Sequence, residues 1–160
     1  MPFFLRLREN EIVSMMSTTQ KQSFIIFKRI VTYSLSDDSV LSTYCLKTVL
    51  FWTMEKLPKK KWDDDIHGLG FGVIFLMDTI IHFLVDCNIP QYFIPENNLI
   101  HGKNPHKVKA TLRKLIGLRR DPVEKLLAFD DQYALLTWGV DAIRSFLTNT
   151  TEEYRLSAKS

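Results

Sequence analysis

Leu41-Ser42-Thr43-Tyr44-Cys45-Leu46-Lys47-Thr48-Val49-Leu50-Phe51-Trp52-Thr53-Met54-Glu55-Lys56 is the stretch that decides the fold. Leu46, Val49, Leu50, Phe51, Trp52 and Met54 cover a helical wheel nearly all round, and apolar and polar residues do not alternate with a period of two. A helix with no face to give to water sits in the middle of a bundle. Pro58 ends it, and Lys59-Lys60-Lys61 reads as an exposed connection. Upstream, the polar cluster at residues 34–39 reads as a loop that supplies a helix cap.

Outward from this stretch the helical pattern continues. Phe24, Ile25, Phe27 and Val31 set an amphipathic stripe over about residues 19–33. A third helix is expected over about 66–86, where Asp63, Asp64 and Asp65 precede it and suit the positive end of its dipole. Pro90, Pro95, Gly102 and Pro105 then break any helix over 88–105. Two shorter helices fit about 105–117 and 122–129, each with proline near its first position. A last one fits about 131–147, with Tyr133, Leu136, Trp138, Val140, Ile143 and Phe146. No strand pattern, repeat or second domain is visible. The expectation is an all-α fold, a compact bundle of about five to six helices. Residues 1–18 read as a connecting segment, 19–148 as the helical lobe and 149–160 as a flexible polar tail.

With 160 residues, 46% hydrophobic and 24% charged, the chain fits one globular domain with a real core. A formal charge of +3 is too mild to mark a nucleic-acid binder by itself. Cys45 and Cys87 lie in apolar stretches and read as reduced, buried thiols of a cytoplasmic protein. The four histidines lack ligand spacing, so no metal site is expected. Residues 69–85 approach a membrane span in length, but Asp78 and His82 interrupt them, which favours a buried core helix and no membrane partner. The first residues lack the apolar run of a signal peptide.

The segment Ser42-Thr43-Tyr44-Cys45-Leu46-Lys47-Thr48, trailed by Phe51-Trp52 and Trp62, resembles the Ser-Tyr-x-x-Lys-Thr element of the male abnormal 21-like family, which includes cyclic GMP-AMP synthase. Tyr92-Phe93-Ile94-Pro95-Glu96-Asn97-Asn98-Leu99 is similar to the same family's Tyr-Phe-Ile-Pro-Glu-x-Asn-Leu stretch, in the same order. The resemblance covers roughly residues 5–130. It implies the C-terminal, helix-hairpin-helix/H2TH-like lobe of a two-lobed nucleotidyltransferase fold. In that fold the Gly-Ser motif and metal-binding carboxylates belong to the other lobe, and neither feature occurs in this sequence. The resemblance therefore implies no catalytic residue here and no activity of this chain alone. ATP or GTP with magnesium or manganese is implied only for an intact member. The zinc-binding insertion of the family's receptor branch, rich in cysteine and histidine, has no counterpart at residues 14–22.

By the same resemblance Tyr44 stacks on a nucleobase, and Thr43, where the family has serine, contacts phosphate beside Ser42. An opening helical turn with unbonded backbone N–H groups suits that role. An aromatic in a helical lobe is also an ordinary core residue. Lys21, seven positions before Lys28, has the spacing of a phosphate-contacting lysine, or is a solvated surface residue. Lys47, one turn after Tyr44, either neutralises phosphate or shields the helix. Arg6 is a further nucleotide-contacting candidate, and residues 92–99 read as structural. Lys103, Lys107 and Lys114 are expected on one side of the fourth helix, a solvated face or an anionic partner surface. Three functions stay open: a nucleotide-positioning lobe, a non-catalytic interaction module whose partner is the missing lobe or another protein, and phosphate-driven nucleic-acid binding.

Overall fold

The computed structural model describes residues 3–35, 40–64 and 68–122, together with residues 144 and 148. The helices expected over 122–129 and 131–147 and the tail over 149–160 fall almost wholly outside the described residues. Among those described the fold is all-α, with six helices and one isolated antiparallel bridge between Pro90 and Asn98.

Helix α1 spans Phe3–Ser14, inside the segment read as a connection. Leu5, Glu9 and Met16 are buried there, and Ile12 and Val13 partly so. That i, i+4, i+7 stripe has a carboxylate at its centre, which blanks the amphipathic signal. Helix α2, Thr18–Ser34, opens on a capping box: Ser17 Oγ accepts from Gln20 N–H while Gln20 Oε1 accepts from Ser17 N–H. Its buried face is Ser23, Ile26, Phe27, Ile30 and Val31.

Helix α3 spans Thr43–Lys56 and buries Cys45, Leu46, Thr48, Val49, Leu50, Phe51 and Thr53. Its N-cap is Ser42, while residues 36–39 of the expected capping cluster lie outside the described residues. The lysine triplet forms a short helix, α4, Lys59–Trp62, not a plain connection. Its lysines are exposed, but Trp62 is wholly buried and anchors the turn.

Helix α5, Gly68–Val85, runs through the centre and packs against α2, α3, α4 and the last described helix, α6, Pro105–Arg120. It is long and apolar enough for a membrane span, yet 67% of it is buried inside the bundle. Asp78 and His82 lie on its exposed side. The start of α5 requires glycine. A Cβ at Gly72 would stand 2.5 Å from Cζ3 of Trp62 and 2.7 Å from Oγ of Ser23, and one at Gly68 would strike the Trp62 carbonyl. Beyond α5 the chain turns at Cys87, whose φ of 51° is left-handed. This turn leaves the Cys87 thiol exposed, against the expectation of two buried thiols; Cys45 is buried.

Helix α6 begins at Asn104, whose side chain accepts from His106 N–H, with Pro105 in the first turn. It continues past Gly117, where the sequence reading stops it, because Leu118 still faces the core.

Candidate functional site

At the start of α3, Ser42 Oγ accepts from Cys45 N–H and donates to Cys45 Sγ at 3.3 Å. The hydroxyl expected to meet phosphate is therefore engaged as the helix cap. Thr43, next along, is exposed. Tyr44 is half-buried, and its hydroxyl accepts from Gln91 Nε2 at 3.2 Å. Burial raises the pKa of this phenol, and the nearby negative charge of Glu9 pushes the same way; the Gln91 donor opposes them.

Lys47 lies one turn on, its Nζ 3.3 Å from Oε2 of Glu9. The Glu9 side chain is 3% exposed and that of Lys47 33%, so the carboxylate is enclosed while the ammonium still reaches water. A buried carboxylate without a partner is costly, and this one is paired with Lys47.

The loop after α5 completes the corner. Asn98 acts as a piece of backbone: its Oδ1 accepts from Ile89 N–H and Ile100 N–H, and its Nδ2 donates to the Cys87 carbonyl. Asn97 Nδ2 donates to Gln91 Oε1 at 2.7 Å, and Gln91 N–H donates to the Asn97 carbonyl. Trp52 Nε1 donates to the Pro90 carbonyl at 2.8 Å, and Tyr92 sets its edge against Phe51 and Trp52, with centroids 5.6 and 5.0 Å away. The segment over 92–99 thus does more than pin a loop: it holds Gln91 on Tyr44.

Tyr44 and Lys47 are brought together, with Thr43 and Ser42 at the end of the same helix. Lys21 is exposed in the first turn of α2, and no hydrogen bond or ion pair joins it to Tyr44 or Lys47 among the described residues. Arg6 is exposed on α1. Lys103 precedes α6 in the loop, so only Lys107 and Lys114 of the basic trio share a flank of that helix. An open depression of about 530 Å³ along α2, lined by Ile25, Lys28, Arg29, Thr32 and Tyr33, contains none of these groups.

Glu9, Gln91 and Asn97 are participants that sequence reasoning missed. Glu9 had a signal, being a carboxylate inside the apolar stripe of Leu5, Ile12 and Val13; such a group needs a partner. Gln91 had none, since its role depends on how the loop folds back. Catalytic metal ions do not fit this corner. Two-metal phosphoryl transfer needs several converging carboxylates, and the corner offers one, already neutralised by Lys47. Asp63 and Asp64 are exposed at the far end of α4.

The fold and its polar corner define a helical lobe of the helix-hairpin-helix kind, with its concentrated polar chemistry at the first turn of an internal helix. Residues 13–116 match the Mab-21 protein HhH/H2TH-like domain, and the chain belongs to that family. It is 32% identical over 91 residues to a protein mab-21-like of Aedes aegypti, and 29% identical over 93 residues to one of Drosophila pseudoobscura pseudoobscura. These matches take in 56% and 58% of this chain but 24% and 25% of the relatives, so it spans about a quarter of their length.

Proposed function

We propose that this lobe forms one wall of a nucleotide-binding cleft, positioning the nucleotide and leaving phosphoryl transfer to groups it does not carry. The observation behind this reading is the convergence of Glu9, Tyr44, Lys47 and Gln91, from three separate segments, at the first turn of α3. Gln91 anchors the phenol at its hydroxyl, which fixes the ring before any base stacks on it and lowers the ordering cost of binding. Thr43 and the partly exposed ammonium of Lys47 stand beside the unbonded N–H groups of the helix end, a setting suited to phosphate oxygens. Glu9 accepts hydrogen bonds and suits hydroxyl or amino groups. It also competes with phosphate for Lys47, so binding is modest and weakens with salt.

Calorimetry with ATP and with GTP, in magnesium, tests this on wild type and Tyr44→Ala. The expected outcome is binding that the substitution removes while the helical circular dichroism is retained. A folded wild-type sample that binds neither nucleotide overturns the proposal. The rival, a non-catalytic interaction module, is favoured by α1, where Phe4 and Leu7 are exposed, with Met15 just beyond on the same side.

A further inference from the structure

Phe4, near the start of α1, and Met15, just past its end, are 61% and 79% exposed. The helix turns Leu5 and Glu9 inward, with Ile12, Val13 and Met16 on the same side. At about 100° per residue the opposite side carries Phe4, Arg8, Glu11 and Met15, flanked by Leu7. Met15 belongs to that line because its N–H still donates to the Glu11 carbonyl, at 3.2 Å. The four residues follow one another at intervals of four, three and four, the spacing of a coiled-coil seam. Arg8 lies over the Phe4 ring, 5.2 Å from its centroid. Arg8 and Glu11 are both exposed, and neither enters an ion pair among the described residues.

We infer that α1 pairs with α1 of a second copy of this chain, antiparallel across a twofold axis. The stripe is its own complement. An antiparallel register centred between Glu9 and Asn10 sets Phe4 of one copy opposite Met15 of the other, and Arg8 opposite Glu11. The twofold axis repeats both contacts, so four residues supply two thioether–aromatic contacts and two ion pairs. A parallel pair would instead put Arg8 on Arg8 and Glu11 on Glu11, so charge fixes the direction. A lipid surface fits less well, because the two charges occupy the middle of the face that a bilayer would take. From Phe4 to Met15 the seam is about 16 Å long at 1.5 Å per residue. A seam that short buries well under the ~800 Å² per partner of a standard interface, so the dimer forms and parts readily. The inference gives the rival reading, an interaction module, its partner. It does not rest on the nucleotide cleft, since Glu9 faces the other way.

The test is sedimentation equilibrium of the full chain from about 10 to about 500 μM, a range suited to a weak interface. The weight-average mass should climb from monomer toward dimer. Arg8→Glu or Glu11→Arg alone sets like charges together at both ion pairs and should weaken association roughly tenfold or more. The double variant Arg8→Glu/Glu11→Arg should restore it, and an equimolar mixture of the two single variants should form a heterodimer. Phe4→Ser should weaken it as well. Every variant should keep the wild-type melting curve, since all three positions face water. A wild type that stays monomeric across the range overturns the inference, whether or not it gathers on anionic lipid vesicles. So does a dimer that Arg8→Glu leaves intact, and so does one that the double variant fails to restore.

Discussion

Around Trp62, α2, α4 and α5 meet without an ion pair among the described residues; around Tyr44, α1, α3 and the loop after α5 add an ion pair and a run of side-chain hydrogen bonds to their apolar contacts. The first corner is a wedge: an indole seated against Gly72 and Ser23, with its Nε1 left unpaired. In the second, each group depends on a partner from another segment. Close packing tolerates an orphan indole N–H at a cost of a few kcal/mol at most, whereas an orphan carboxylate is far costlier. The dry corner can thus be a device of stability alone, while the polar corner carries a standing cost that stability does not explain.

Substitutions can break that contrast. The largest effect belongs to the wedge: Trp62→Ala should cost about 3–5 kcal/mol, and Gly72→Ala about 1–3 kcal/mol through overpacking, both read by urea denaturation. A Gly72→Ala protein of wild-type stability would show that the wedge is looser than its 2.5 Å approach implies. In the polar corner, Lys47→Ala removes the cation paired with Glu9 but opens the carboxylate to water from the side Lys47 now occupies, and should cost about 1–3 kcal/mol. Glu9→Gln combined with Lys47→Met should cost clearly less than the two single changes added together. Strict additivity in that cycle would mean the two side chains do not act as a pair.

The smallest effect sharpens the contrast at one atom. Tyr44→Phe removes the Gln91 contact, for about 0.5–1.5 kcal/mol. Because burial raises the Tyr44 pKa in the folded state, folding favours the neutral phenol. This contribution is complete below the unfolded value of about 10 and is lost as pH climbs through the higher folded value. Absorbance titration should show a late phenolate component in wild type that Tyr44→Phe abolishes. Tyr92, also raised by burial, supplies a second late component that should persist.

The all-α fold was legible because residues 41–56 and 69–85 are too apolar for any place but a bundle core. The helix α1 was not, since its inward stripe runs through Glu9, and a charge hides periodicity. Trp62 gave no hint of burial from within a lysine run, because its environment comes from Gly68 and Gly72 across a connection. At the candidate site, the sequence places Tyr44 and Lys47 one turn apart on one helix, while a role toward a nucleotide comes from the resemblance alone. Gln91 and Asn97 were not legible, since no sequence pattern encodes a loop folding back across 47 residues. Ser42, to which the resemblance gives a phosphate contact, caps the helix with its hydroxyl, a second task that the resemblance does not disclose.

The side chain of Asn98 has a consequence for the order of events as the chain folds. By binding Ile89 and Ile100 together with the Cys87 carbonyl, it closes a ring of about a dozen residues that needs no distant partner. Rings of that size close in roughly 10–100 ns and at small entropic cost. Tyr92 and Gln91 both lie inside that ring, so the contacts with Trp52 and Tyr44 are made from one locally closed segment.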